Sequence, residues 1–110
     1  MTVAGDFLLV LTTLPDPERA RTIAAEVVRL GLAACVSVLP GVHSVFQWQG
    51  KLDHADECLL LLKTTSKRYR DLESRLVTLH PYELPEIIAL PLAAGLDNYL
   101  TWIEKNTGIQ

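Results

Sequence analysis

Two cysteines are all the chain has, Cys35 and Cys58. They form neither a Cys-x-x-Cys motif nor a disulfide framework, so a reduced cytoplasm is the expected setting. Cationic clusters are equally scarce: beyond Lys67-Arg68 with Arg70 there is none, and the net charge is −3. Without a basic stripe interleaved with aromatics, nucleic acid is excluded as an expected partner. No positive segment precedes the first apolar stretch, and Val3 to Leu11 is interrupted by Gly5 and Asp6. The expectation is therefore no signal peptide and no membrane span. Glycine never gathers into a phosphate loop, since Pro40-Gly41 and Gly95 stand apart. The patterns Ser-x-x-Lys, Gly-x-Ser-x-Gly and His-Glu-x-x-His are also missing.

What is plentiful is apolar residue: 49% of 110, with a mean hydropathy of +0.22. A chain this short makes one domain and leaves roughly a third of its unfolded-state surface exposed. The apolar surplus predicts burial between subunits, hence a homo-oligomer.

Phe7 to Leu11 is a continuous apolar run ending at Thr12-Thr13, the mark of a central strand. Asp16 suits a helix N-cap, Pro17 the first helical position and Glu18 the positive dipole end. Ala20, Ile23, Ala24, Val27 and Val28 then recur at helical spacing, and Gly31 ends the helix. Leu32 to Leu39 is a second strand, broken by Pro40-Gly41 as either a turn or a bulge. From Val42 to Gln49 the residues alternate, Gly50 to Asp56 reads as a polar turn, and Glu57 to Thr65 is the return strand. Ser66 is placed to cap a second helix with Tyr69, Leu72, Leu76 and Leu79 on its buried stripe, ending before Pro81. Ile87 to Leu90, bracketed by Pro85 and Pro91, reads as a buried fourth strand. Asp97 is placed to cap a last helix, with Leu96 as a staple and Leu100 and Ile103 in the core.

The order β-α-β-β-α-β-α is a split βαβ: an α+β, ferredoxin-like antiparallel sheet with two helices on one face. The opposite face has no helix among the first six elements, which again calls for partner subunits.

Five blocks carry a family resemblance: Leu32–Gly41, Phe46-Gln47-Trp48-Gln49-Gly50-Lys51, Leu62-Lys63-Thr64-Thr65, His80–Pro91, and Tyr99-Leu100 with Trp102-Ile103. The chain resembles the CutA family of divalent-cation tolerance proteins, and His-Pro-Tyr-x-x-Pro-Glu is the specific block. The resemblance implies a single domain over residues 1–110 and a tight, PII-like homotrimer formed by packing sheets together. It also implies a part in copper and divalent-metal tolerance, with no established catalytic activity. In metal-binding relatives the ligands are a cysteine late in the first strand and a His-His pair before Pro-Tyr. Here those positions hold Thr12 and Leu79-His80, so His80 alone remains as a metal candidate and copper binding is expected to be weak. The structural alternative for His80 is an imidazolium at the negative end of the second helix.

Two further groups invite chemistry. Cys35 lies in an apolar strand, where an inert buried thiol is common; activation needs a cation, and Lys63 on the paired strand is the candidate. Lys63, following four leucines, is costly to bury unpaired, and Glu86 before Ile87 is its natural partner. In one reading Trp48, Lys63, Tyr82, Glu83 and Glu86, with Cys35 and Trp102, line an intersubunit cleft for a small polar ligand or ion. In the other, Lys63–Glu86 is a register-fixing ion pair and the tryptophans fill the subunit seam. The expectation is a non-enzymatic homotrimer responding to divalent metal, with a small-ligand sensor or enzyme, or a pure scaffold, as alternatives.

Overall fold

The computed structural model describes residues 6–108. Val3 and Gly5, which bear on the expectation of no leader, lie outside the described residues. The elements are β1 (Phe7–Leu14), α1 (Pro17–Arg29), β2 (Cys35–Trp48), β3 (Lys51–Thr65), α2 (Tyr69–Leu79), β4 (Ile88–Pro91) and α3 (Asp97–Lys105). One antiparallel sheet runs β2-β3-β1-β4, so β1 is central as its apolar run requires.

Local chemistry explains most boundaries. Asp16 Oδ1 accepts the Arg19 N–H at 2.8 Å, and Pro17 opens α1. Gly31 takes φ +72° while its N–H bonds Val28 O and the Leu32 N–H bonds Val27 O, the paired closure that favours glycine after a helix. Between Leu39↔Leu59 and Val42↔Glu57, β2 advances one residue more than β3. Pro40-Gly41 is therefore a bulge, with Gly41 at φ +78°. The extra residue resets the alternation, so Cys35, Ser37, Leu39, Ser44, Phe46 and Trp48 all share one face of the sheet. The hairpin turn is only Gln49-Gly50, both at positive φ. The expected polar turn over Gly50 to Asp56 is instead strand from Lys51 onward, polar because the outer half of the hairpin protrudes into solvent.

Val10, Leu14, Ile23, Val27, Leu60, Leu62, Leu72 and Leu76 form the core between α1, α2 and one sheet face. On the other face, Phe7 and Ala34 pack with Leu100 and Ile103 of α3.

Four further expectations need correction. Val28 is 39% exposed, one helical step outside the buried stripe. Helix α2 starts at Tyr69 after a turn over residues 66–68, so Arg68, not Ser66, precedes it. Asp97 is the first residue of α3, and Leu96 holds the cap position without packing, at 74% exposed. Strand β4 begins at Ile88 and is exposed throughout within one copy. It is an edge strand paired only to β1, and nothing among the described residues of the protomer covers it.

Candidate functional site

The outer half of the β2–β3 hairpin and the segment 80–87 face each other across a cavity of about 660 Å³. Phe46 and Trp48 reach it from β2, Asp53 and Glu57 from β3, and Tyr82, Glu83 and Glu86 from the proline-stiffened segment. Glu57 is only 8% exposed. Its Oε2 accepts the Tyr82 hydroxyl at 2.7 Å, and its Oε1 has no donor among the described residues. Burial, then the Glu57 carboxylate, pushes the Tyr82 phenol well above its ordinary range.

His80 anchors this wall. Its Nε2–H donates to the Thr13 carbonyl at 2.9 Å, and its Nδ1 accepts the Tyr82 N–H at 3.2 Å, a tautomer assigned from these partners. The ring lies against that of Tyr82, with centroids 4.9 Å apart. Burial pushes the imidazole below its ordinary pKa, against the opposing pull of the Thr13 carbonyl and Glu57. His80 at the end of α2 is thus a neutral positioning group, not the imidazolium expected there. In this geometry both ring nitrogens have a protein partner, Nε2 the Thr13 carbonyl and Nδ1 the Tyr82 N–H.

The cleft residues expected together fall into two groups within one copy. Trp48, Tyr82, Glu83 and Glu86 line the cavity. Cys35 and Lys63 pair directly in register at the other end of the hairpin, about 20 Å along the strand from Glu57. Lys63 Nζ donates to Ser37 Oγ at 2.5 Å and lies 3.8 Å from Cys35 Sγ. It forms no ion pair with Glu86. Register explains this: Lys63 sits opposite Leu9, whereas Glu86 precedes the point where β4 joins the sheet. Trp102 stacks on Tyr99 at 5.6 Å, and burial, then Cys35, raises the Tyr99 phenol pKa. Trp102 therefore belongs with the Cys35 group.

No group of three His, Cys, Asp or Glu side chains among the described residues is arranged to hold a metal ion. Thr12 is fully buried on the helix face with its Oγ1 unpartnered, Leu79 packs against the core, and Cys58 is 2% exposed inside it. His43 pairs with Asp56 at 2.8 Å and touches the His54 ring on the hairpin's exposed side. Sequence reasoning missed Glu57, Phe46 and Asp53. The available signal was Glu57, a carboxylate heading the apolar run Cys58 to Leu62.

A βαββαβ sheet with two helices on one face, and a third helix on the other, defines a ferredoxin-like α+β protein. Residues 8–106 match the family described as CutA1 divalent ion tolerance protein. The chain belongs to that family. The divalent-cation tolerance protein CutA of Thermus thermophilus is 49% identical over 100 residues, 91% of this chain and 97% of that protein. The solved Cut A1 structure from the same organism superposes with a TM-score of 0.91 at 48% identity, covering 93% of this chain and 99% of that one. The structure of the periplasmic divalent cation tolerance protein CutA from Archaeoglobus fulgidus gives 0.90 at 32% identity, covering 93% and 99%. Protein CutA, chloroplastic, of Arabidopsis thaliana is 38% identical over 100 residues, 91% of this chain and 55% of that protein. The family is named for cation tolerance, not for a reaction. No described helix is long and apolar enough to cross a membrane.

Proposed function

We propose that the chain is a non-enzymatic, cytoplasmic homotrimer serving divalent-metal tolerance, with weak binding of copper or another divalent cation. The observation that carries this reading is the uncovered apolar sheet face. Leu39, Ile88 and Leu90 are 49%, 50% and 45% exposed on it, with Leu9, Leu11, Leu59 and Leu61 between them. Burying the exposed half of each of the first three contributes about 1 kcal/mol. Further copies of the same chain supply a matching apolar surface. Metal binding is weak in this reading because the carboxylates around the cavity are spread too widely to cage an ion. Light scattering should give three times the chain mass at micromolar concentration, and a single-chain mass would defeat the proposal. Titration with Cu(I) and Cu(II) should show weak binding. If His80→Ala and Cys35→Ala bind as wild type does, those residues are not the ligands.

A second reading is favoured by the cavity itself: Phe46, Trp48, Tyr82 and the half-satisfied Glu57 form a site for a small ligand. In this reading the assembly is a sensor. A scaffold without ligand would show no thermal shift with any metabolite and no effect of Trp48→Ala on such shifts.

A further inference from the structure

Past the bulge, side chains of β2 and β3 still alternate between the two faces of the hairpin. Ser44, Phe46 and Trp48 take the face that continues the bare sheet surface. His43 and Val45 take the reverse face, directly opposite Asp56 and His54. His43 and His54 are therefore diagonal neighbours across the ladder, with Asp56 beside them. Two of the three histidines in the chain meet here.

The hydrogen bond to Asp56 fixes one tautomer. His43 Nδ1 lies 2.8 Å from Asp56 Oδ1. An ionised carboxylate only accepts, so Nδ1 carries the proton and, in the neutral ring, Nε2 holds the lone pair on the side away from Asp56. A carboxylate on one imidazole nitrogen with a metal on the other is the usual setting of a metal-ligating histidine. His54 is tethered through its backbone, whose N–H donates to Asp53 Oδ1 at 2.8 Å, and no hydrogen bond to another described residue occupies its ring. The two ring centres are 5.3 Å apart, with the planes inclined at 44°. Two imidazoles bound through nitrogen at about 2 Å to one tetrahedral ion place their ring centres about 5 Å apart. Local charge favours a cation. Asp56 stands on this face, whereas Lys51, the only lysine or arginine from Val42 to Glu57, alternates onto the other. Rings this close repel when both are protonated, so the pair favours an occupant that binds neutral imidazole.

Resting on the reading that the protein binds a divalent cation weakly, we propose that His43 and His54 are the ligands of that ion. The ion is a transition-metal dication with affinity for imidazole, such as Zn(II) or Cu(II), and Asp56 is the residue that positions His43. Two protein ligands, with water completing the shell, make a weak and exchangeable site. This agrees with the lack of any three-ligand group among the described residues. Mg(II) and Ca(II), which take oxygen ligands, do not fit it.

The test uses the assembled full-length protein, titrated with Zn(II) by calorimetry and loaded with Cu(II) for electron paramagnetic resonance. Wild type should bind one ion per chain in the micromolar range, undisplaced by excess Mg(II). Losing an outer-shell partner costs about 10–100-fold in affinity, so His43→Ala and His54→Ala should each weaken binding by at least about tenfold. Asp56→Ala should do likewise, and Asp56→Asn, whose amide oxygen still accepts from Nδ1–H, should recover part of the loss. All three side chains are exposed, so mass and circular dichroism should not change. The Cu(II) spectrum of wild type should show two nitrogen donors, and each histidine variant one. Zn(II) binding that persists unweakened in His43→Ala and His54→Ala would overturn this site while leaving the weak-metal reading intact. A wild type that binds neither Zn(II) nor Cu(II) would overturn both. Should a variant misfold, the wild-type Cu(II) spectrum decides by itself, and the absence of nitrogen donors in it would refute the assignment.

Discussion

Removing the Tyr82 hydroxyl is the sharpest way to ask whether the cavity wall is built as described. Tyr82→Phe keeps the ring against His80 and deletes one oxygen. Glu57 Oε2 then loses its donor, at a residue 8% exposed where water is largely shut out. Hydrogen bonds to charged groups contribute about 1.5–3 kcal/mol, and the partial exposure of Tyr82 argues for the middle of that range, about 2 kcal/mol. For a domain of this size a loss of about 2 kcal/mol lowers Tm by roughly 8 °C or more. Urea unfolding and calorimetry at one fixed protein concentration measure it, since assembly makes Tm concentration-dependent. A double-mutant cycle with Glu57→Gln should return most of the effect as coupling. Alkaline pH adds a signature. The Tyr82 phenol is raised in the folded state, so its contribution is complete below the unfolded value near 10 and fades as pH climbs past it. Tyr82→Phe should remove that alkaline loss. A variant within about 0.5 kcal/mol of wild type, with no coupling to Glu57, would refute the reasoning.

The folded state depresses the His80 pKa, so the unfolded chain binds the extra proton first. Wild type should lose stability as pH falls through about 6.5, and His80→Asn should flatten that slope; parallel urea profiles between about pH 5 and 8 would contradict it. Thr12→Val replaces a fully buried hydroxyl that has no hydrogen-bond partner, and should raise stability by about 1 kcal/mol, read as a higher urea midpoint at unchanged slope. Leu90→Asp sets a carboxylate on the bare sheet face opposite Leu9. Light scattering should report a reduced mass with native circular dichroism, and an unchanged mass would place the subunit contact elsewhere.

The element order, the start of α1 at Asp16-Pro17 and its end at Gly31 were readable because they depend on local chemistry within a few residues. So was the bend at Pro40-Gly41, though only as one of two possibilities. Boundaries failed where tertiary context overrode propensity. Lys51 to Asp56 looks like part of a turn but is held in β3 by backbone pairing to β2, and of the run Ile87 to Leu90 only Ile87 packs against the core, while Ile88 to Leu90 lie on an exposed edge.

The site divides along the same line. Composition and spacing alone determined that one small, acidic, grease-rich domain carries its polar chemistry on a proline-stiffened segment ahead of the last strand. Register decided everything about pairing: it set Lys63 beside Cys35 instead of Glu86, and left Glu57 buried against Tyr82, 25 residues away in sequence. A one-residue bulge then turned both ends of β2 toward the same face. Such facts hinge on which strand residues lie opposite each other, a long-range property that no local window of sequence contains.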